Sequence, residues 1–308
     1  MNDKNIWTAE AVRNAILLGN VNLEIVFSNY LKTYIARLSD YDINLQEVKS
    51  IDALHQRVLE GIEKLELKRQ EFLSVVEVFA VSNNFLLKKY LPVFFEKLLN
   101  FYEEQGVNLY TGTGADTLRN DHYRFFNQSL FIALAALLLE NECFEALAII
   151  LQTKFKVYYK SYRMTREVNY MRFREYNYTL NEFMNTNLPK RISVTADYIY
   201  KYATQPSFEK MVKADILLYY ISLWNHSDDI LDPYWYPELS VYNRESDILP
   251  FMVSKKYFEK AKVLFRVQTI EQYKHLIEDI DDHLQRGGLY HVPQLKVGLL
   301  YESVGTVE

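Results

Sequence analysis

Apolar residues recur at helical spacing along most of the chain, so the pattern predicts a mainly helical protein. The segment from Leu23 to Leu38 is a clear example, with Tyr30, Tyr34 and Leu38 on one face. Pro92 is expected in the first turn of a helix, where its missing N–H costs nothing. The predicted helices cover residues 9–18, 23–38, 52–65, 72–81, 92–102, 123–139, 144–155, 192–203, 207–224, 255–265 and 270–284.

The run from Leu130 to Leu139 has no polar face. A helix of this kind must be enclosed on all sides, so the run is predicted to be the centre of the core. It is also far shorter than the roughly 20 apolar residues that span a bilayer, so no membrane association is expected. The N-terminus lacks the basic and apolar segments of a secretory signal, and we expect a cytoplasmic protein.

Glycine is absent between Gly114 and Gly287, so few positions favour the positive φ angles of tight hairpin turns. A large sheet is therefore not expected. Leu239–Tyr242 alternates like a strand, and Leu249–Val253 is a suitable partner for it. The predicted fold class is mainly α, a bundle-like array of helices with one small β-hairpin near residues 238–253.

The glycine- and threonine-rich segment 106–120 is the clearest break in the pattern. It divides an N-terminal helical layer, residues 1–110, from a C-terminal helical region with the hairpin, residues 111–308. We expect the two parts to pack as one compact unit.

Composition narrows the function classes. An apolar content of 49% excludes a disordered chain, and a net charge of -5 argues against a wholly basic nucleic-acid binder. The single cysteine, Cys143, excludes a disulfide scaffold and a cysteine-based zinc cluster, and it suits a reducing compartment. No motif calls for a cofactor, so none is expected.

Positive charge and tyrosine are concentrated in residues 153–202, the basic window. It carries ten Lys and Arg against four Asp and Glu, together with nine Tyr. Such a mixture is typical of a groove for single-stranded nucleic acid, and it also suits an acidic protein partner. Solvated cations and tyrosines packed in the core are the commoner explanation of such a composition, and all three interpretations stay open. The candidate binding residues in the window are Lys160, Arg163, Arg166, Arg172, Arg174, Lys190 and Arg191.

Two arginine–histidine pairs, Arg119 with His122 and Arg286 with His291, resemble the spacing found in HEPN ribonucleases. The resemblance implies an arginine that stabilises charge on the scissile phosphate and a histidine that moves the proton. The first pair is closer than is usual in that family, and two glycines interrupt the second. A metal site at His275, Asp279 and His283 is not expected, because the three span about 12 Å along a helix.

Several segments resemble a helical region that accompanies TIR-type effector domains in bacterial anti-phage defence proteins. The resemblance covers about residues 110–280 and implies a sensing or regulatory partner for a separately encoded effector. It supplies no catalytic residue. What it implies for Lys190, Arg191, Lys255 and Lys256 is either contact with a partner or capping of helices. The segments that carry it are Asp121–Phe126, Lys190–Asp197, Phe208–Tyr219, Trp235–Pro237 and Ser254–Glu259.

The leading expectation is thus a non-enzymatic interaction or sensor module with a protein partner. The alternatives are a single-strand nucleic-acid binder that uses the basic window and a metal-independent ribonuclease that uses Arg119 and His122. The sequence leaves the oligomeric state open, although 25 tyrosines suit interfaces as well as a large core.

Overall fold

The computed structural model describes residues 7–19, 22–104, 118–159, 163–184, 193–224, 234–242, 249–287 and 303–307. Helices dominate these residues, which confirms the mainly α fold class. The helices and strands are α1 (Ala9–Leu17), α2 (Leu23–Leu38), α3 (Ile51–Val81), α4 (Leu86–Glu104), α5 (Asp121–Glu140), α6 (Phe144–Gln152), β1 (Phe155–Tyr159), β2 (Met164–Val168), α7 (Val194–Tyr202), α8 (Phe208–Trp224), α9 (Lys255–Ala261) and α10 (Ile270–Gly287).

The chain forms two compact units. Unit 1 comprises Met1–Phe131 with Thr153–Arg191, and unit 2 comprises Ile132–Gln152 with Ile192–Glu308. The boundary between the units falls within α5, after Phe131, whereas the predicted break at 106–120 lies mostly outside the described residues.

Unit 1 is built on antiparallel helices with an aromatic core. The rings of Phe27 in α2 and Phe79 in α3 are 4.3 Å apart between centroids, and Phe72 in α3 stacks on Phe94 in α4 at 4.6 Å. The Tyr34 hydroxyl also donates to the Lys68 carbonyl at 2.7 Å. These contacts pair the start of α2 with the end of α3 and fix the alternating directions of the helices.

Helix α3 is one continuous helix where the sequence predicted two. The polar residues between the two predicted helices have a high helix propensity. Among them, Glu66 and Arg69 are three residues apart and form a buried ion pair. Helix α4 likewise begins at Leu86, so Pro92 lies inside it rather than in its first turn. Both differences arise because tertiary packing supports helix beyond the local start and stop signals.

The hairpin lies at β1 and β2, not at residues 238–253. Glu238–Tyr242 and Pro250–Val253 each form a short 3₁₀ helix, and residues 243–248 lie outside the described part. The N–H of Leu239 donates to the Asp215 carboxylate at 2.8 Å, and Pro250 has no N–H to offer a strand partner. For pairing between the two predicted strands, the N–H of Leu239 is therefore already occupied and that of Pro250 is absent.

The predicted central run is buried, and only Leu139 at its end is partly exposed. In unit 2, the buried carboxylate of Asp215 also accepts the indole N–H of Trp235 at 2.6 Å, which holds residues 234–239 on α8. The segment 303–307 pairs with residues 252–255 through three backbone hydrogen bonds. No helix in the described part of the chain combines the length and apolar character needed to cross a bilayer.

Candidate functional site

The two edges of the hairpin differ. Strand β1 packs on α4, and two polar side chains of α4 bind its outer edge. Glu96 accepts the N–H of Lys156 at 2.8 Å, while Asn100 donates to the Lys156 carbonyl at 2.7 Å and accepts the N–H of Tyr158 at 3.0 Å. These side chains satisfy the backbone groups that a further strand would otherwise use, so this edge is closed.

The outer edge of β2 is open. In the antiparallel register, Lys156 faces Glu167 and Tyr158 faces Thr165. Because the backbone groups of Lys156 and Tyr158 point away from β2, those of Thr165 and Glu167 point away from β1. Both residues are exposed, and no described residue hydrogen-bonds to their N–H or C=O groups on this side. Within the described part of the chain, the edge of β2 therefore presents two donors and two acceptors that have no partner.

The hairpin is held firmly on its inner face. Phe155, Val157 and Val168 are buried, and the ring of Phe155 meets that of Phe173 edge-on at 5.4 Å. This alternation of buried and exposed positions is the pattern of a half-buried strand. The open edge is thus carried on a packed element, which suits a binding surface better than a free loop does.

The predicted cations of the basic window have different environments. Arg163 is exposed in the turn before β2 with a φ of 50°, and no ion pair involves it among the described residues. Arg166 is half-buried, and its Nε donates to the sulfur of Met164 at 3.4 Å. Arg172 forms an ion pair with Glu175, and Arg174 is partly buried.

The structure describes only two of the other candidates. Lys160, Lys190 and Arg191 lie outside the described residues. Lys255 and Lys256 are exposed in the first turn of α9 and belong to unit 2. The hairpin therefore brings together only Arg163 and Arg166 among the predicted binding residues that the structure describes.

The tyrosines of the window also divide. Tyr158 is exposed on the hairpin, and Tyr176 and Tyr178 are exposed with their rings edge-to-face at 4.8 Å. Tyr170 is fully buried and stacks on Phe131. Part of the tyrosine content is thus core packing, as one of the three interpretations holds.

A buried polar network lies beneath Tyr176 and Tyr178. Arg124 forms ion pairs with Asp121 and Glu175, and the Asp121 carboxylate accepts the N–H of Thr179 at 2.6 Å. Burial raises the pKa of Asp121 above its ordinary value, while Arg124 acts in the opposite direction. The network fixes the segment from Glu175 to Thr179 against the start of α5, and its charges are compensated. Residues more than 50 positions apart form it, so spacing in the sequence gave no signal for it.

The histidine of the first arginine–histidine pair is enclosed. His122 is completely buried, and its Nε2 donates to the Tyr41 carbonyl at 3.1 Å. A Cβ added at Gly61 would lie only 3.0 Å from its ring. Burial lowers its pKa to about 3. Arg119 lines a polar pocket of about 380 Å³ with Asp42 and Asn44. Arg119 thus lines a pocket, whereas the imidazole of His122 is enclosed.

The second pair and the histidines of α10 are only partly described. The side chain of Arg286 and all of His291 lie outside the described residues, as does the side chain of His283. His275 is exposed and contacts Glu278 at 3.1 Å. Within the described residues, no group of three or more His, Cys, Asp or Glu is arranged to hold a metal ion.

Comparison with known proteins adds no family. No family model matches the chain, and no similar curated protein or solved structure was found. The functional argument therefore depends on the geometry of the chain itself.

Proposed function

We propose that this protein is a non-enzymatic interaction module that binds an extended, net-acidic segment of a partner protein along the open edge of β2. The observation that carries the proposal is the difference between the two edges of the hairpin. Glu96 and Asn100 close the edge of β1, whereas Thr165 and Glu167 leave the edge of β2 without backbone partners among the described residues.

Strand addition is the binding mode that this geometry supports. Thr165 and Glu167 are two residues apart, so their outward groups are spaced by about 7 Å along the strand, the repeat of one face of a sheet. An incoming strand in register would form up to four backbone hydrogen bonds with them. Main-chain bonds of this kind supply affinity in strand addition, and neighbouring side chains supply specificity.

The charges beside the edge favour an acidic partner. Arg163 is exposed and forms no ion pair among the described residues, so it is available to a carboxylate. Glu167 is the acidic residue on the same face and selects against a carboxylate directly opposite itself. We therefore expect an acidic residue of the partner opposite Arg163 and an uncharged or basic one opposite Glu167.

A proline substitution tests the edge directly. Thr165→Pro removes the outward N–H and leaves the hydrogen bonds between β1 and β2 intact, whereas Thr165→Val keeps the N–H and the strand preference. The probe is an array of six-residue peptides that alternate Val or Thr with Glu, compared with the same peptides carrying Lys. Affinities are measured by fluorescence anisotropy on the full chain.

We expect the acidic peptides to bind the wild-type protein and the Thr165→Val variant alike, with at least tenfold weaker binding to Thr165→Pro. Arg163→Glu should weaken the acidic peptides and strengthen the basic ones. Equal binding to the proline and valine variants, or no binding of any acidic peptide, would contradict the proposal. Circular dichroism of each variant establishes that the hairpin and helices are retained.

The nucleic-acid alternatives give different outcomes in the same assays. A single-strand binder would retain RNA or DNA oligonucleotides at low salt and lose them at moderate salt, without an effect of Thr165→Pro. A ribonuclease would cleave RNA, and both Arg119→Ala and His122→Ala would abolish the cleavage. Either result would replace the interaction module as the function of this chain.

We further propose that the partner is a separately encoded effector in a bacterial anti-phage defence system and that the protein acts in the cytoplasm. The resemblance of residues 110–280 to TIR-associated helical regions supports the first point, and the single cysteine of the chain, Cys143, supports the second because it suits a reducing compartment. Co-purification with the products of neighbouring genes is the test. We expect a stable complex that Thr165→Pro weakens and Thr165→Val does not.

A further inference from the structure

The ends of four helices lie together at one end of unit 1. The rings of Phe27 and Phe79 join the first turn of α2 to the last turns of α3, and Glu24 binds Lys89 between the first turns of α2 and α4. A hydrogen bond from Arg13 to Ser74 aligns α1 with α3. Because α1 leads into α2 through a short link, its last turn lies at this same end.

Large apolar side chains project from this end, which we call the apolar end. Their exposed fractions are 81% and 83% for Leu17 and Leu18, 56% for Ile25, 73% for Val81 and 62% for Phe85. All five belong to the last or first turns of the four helices or directly adjoin them. Single exposed apolar residues are ordinary, but a group of this size marks an interaction site in a folded protein.

The polar surroundings of the apolar end carry little net charge. The residues that follow α3 are Ser82, Asn83 and Asn84, and Asn22 precedes α2. Glu24 is neutralised by Lys89, and the next charges, Arg13, Glu77 and Lys88, lie one helical turn further along and differ in sign. Two identical chains of net charge -5 repel each other. A nearly neutral surface lets them associate without strong repulsion between like charges.

The structure assigns the apolar end to a second copy of this chain, as the centre of a two-fold interface. In such an interface the same surface occurs on both subunits, so it must be self-complementary, and an apolar centre with a nearly neutral surround meets that requirement. On each copy, the five exposed fractions add up to about three and a half fully exposed apolar residues. Specific, stable interfaces bury about 800 Å² on each copy, so these residues would form the apolar centre of such an interface and the polar residues around them its rim.

Sedimentation velocity of the full chain between about 1 and 100 µM tests the assignment. We expect a mass twice that of the 36.6 kDa chain at the upper concentrations. The double variant Leu18→Gln with Phe85→Gln should sediment as a monomer, with at least a 100-fold weaker association. Leu67→Gln is the matched control, because Leu67 is equally exposed but lies in the middle of α3, and it should leave the dimer unchanged.

The altered side chains are exposed, so the variants should keep the wild-type circular dichroism and melting temperature. A wild-type chain that remains monomeric at 100 µM would overturn the assignment, and so would a dimer that the double variant leaves intact. The peptide-binding assay at β2 separates this result from the proposed function. A double variant that is monomeric but still binds the acidic peptides is consistent with both claims. A protein that dimerises but does not bind the peptides contradicts only the proposed function.

Discussion

Acid should destabilise the protein through His122. Its buried ring donates from Nε2 to the Tyr41 carbonyl, an interaction that the neutral imidazole makes. Burial lowers its pKa to about 3 in the folded protein, against about 6.5 for a histidine in an unfolded chain. Between these two values the unfolded chain binds a proton that the folded protein does not, so the free energy of unfolding falls as the pH falls.

The size of the effect follows from the same two values. Each pH unit below 6.5 lowers the free energy of unfolding by about 1.4 kcal/mol, so this single residue lowers it by about 2 kcal/mol at pH 5. The stability that the neutral histidine contributes is fully present above pH 6.5 and is completely lost only near pH 3. Because stabilities of whole domains are about 5–15 kcal/mol, the loss is large enough to measure by urea denaturation.

His122→Gln isolates the effect. The glutamine amide can donate to the Tyr41 carbonyl as Nε2 does, but it does not titrate in this range. The difference in unfolding free energy between pH 7 and pH 5, followed by circular dichroism, should shrink by about 2 kcal/mol in the variant. An identical pH dependence in the wild type and His122→Gln would refute the buried, neutral histidine.

Three further predictions test other parts of the structure. Asp215→Ala leaves the buried N–H groups of Trp235 and Leu239 without their acceptor. It should therefore lower the free energy of unfolding by about 2–4 kcal/mol and shift the tryptophan emission to longer wavelength, with a smaller effect for Asp215→Asn. Gly305→Val should detach residues 303–307, because Gly305 has a φ of +65° and an added Cβ would lie 2.2 Å from Ile270; hydrogen exchange at the Lys255 amide should then accelerate. Cys143 is completely buried, so it should react with a thiol reagent only as fast as the protein unfolds, and fast labelling in the native state would contradict its position.

The fold class could be predicted because helical spacing is a local property of the sequence. The apolar run from Leu130 to Leu139 is buried as expected, since a helix without a polar face has no stable exposed arrangement. The hairpin was placed wrongly because the alternation of Leu239–Tyr242 was taken as a strand, whereas these residues form a short 3₁₀ helix. Arg163 adopts a positive φ without being glycine, and packing on α4 compensates for the cost of that conformation.

The candidate site was less predictable because it depends on contacts between distant residues. The charge of Arg163 and Arg166 was visible in the sequence, but nothing in it showed that Glu96 and Asn100 close one edge of the hairpin and leave the other open. Sequence spacing placed Arg119 and His122 near each other and gave no information on burial. Gly61 and the other residues packed around the start of α5 bury His122, whereas Arg119 stays partly exposed.

The interleaving of the two units has a consequence for synthesis on the ribosome. Unit 1 needs residues 153–191 before it is complete, so the apolar segment 132–152 leaves the ribosome before the rest of its own unit. At about 5–20 residues per second, the remainder of unit 2 follows over roughly 6–20 s. During that interval one of the most apolar stretches of the chain lacks its final neighbours, which makes the nascent protein a natural client for chaperones and a poor candidate for expression as two separate halves.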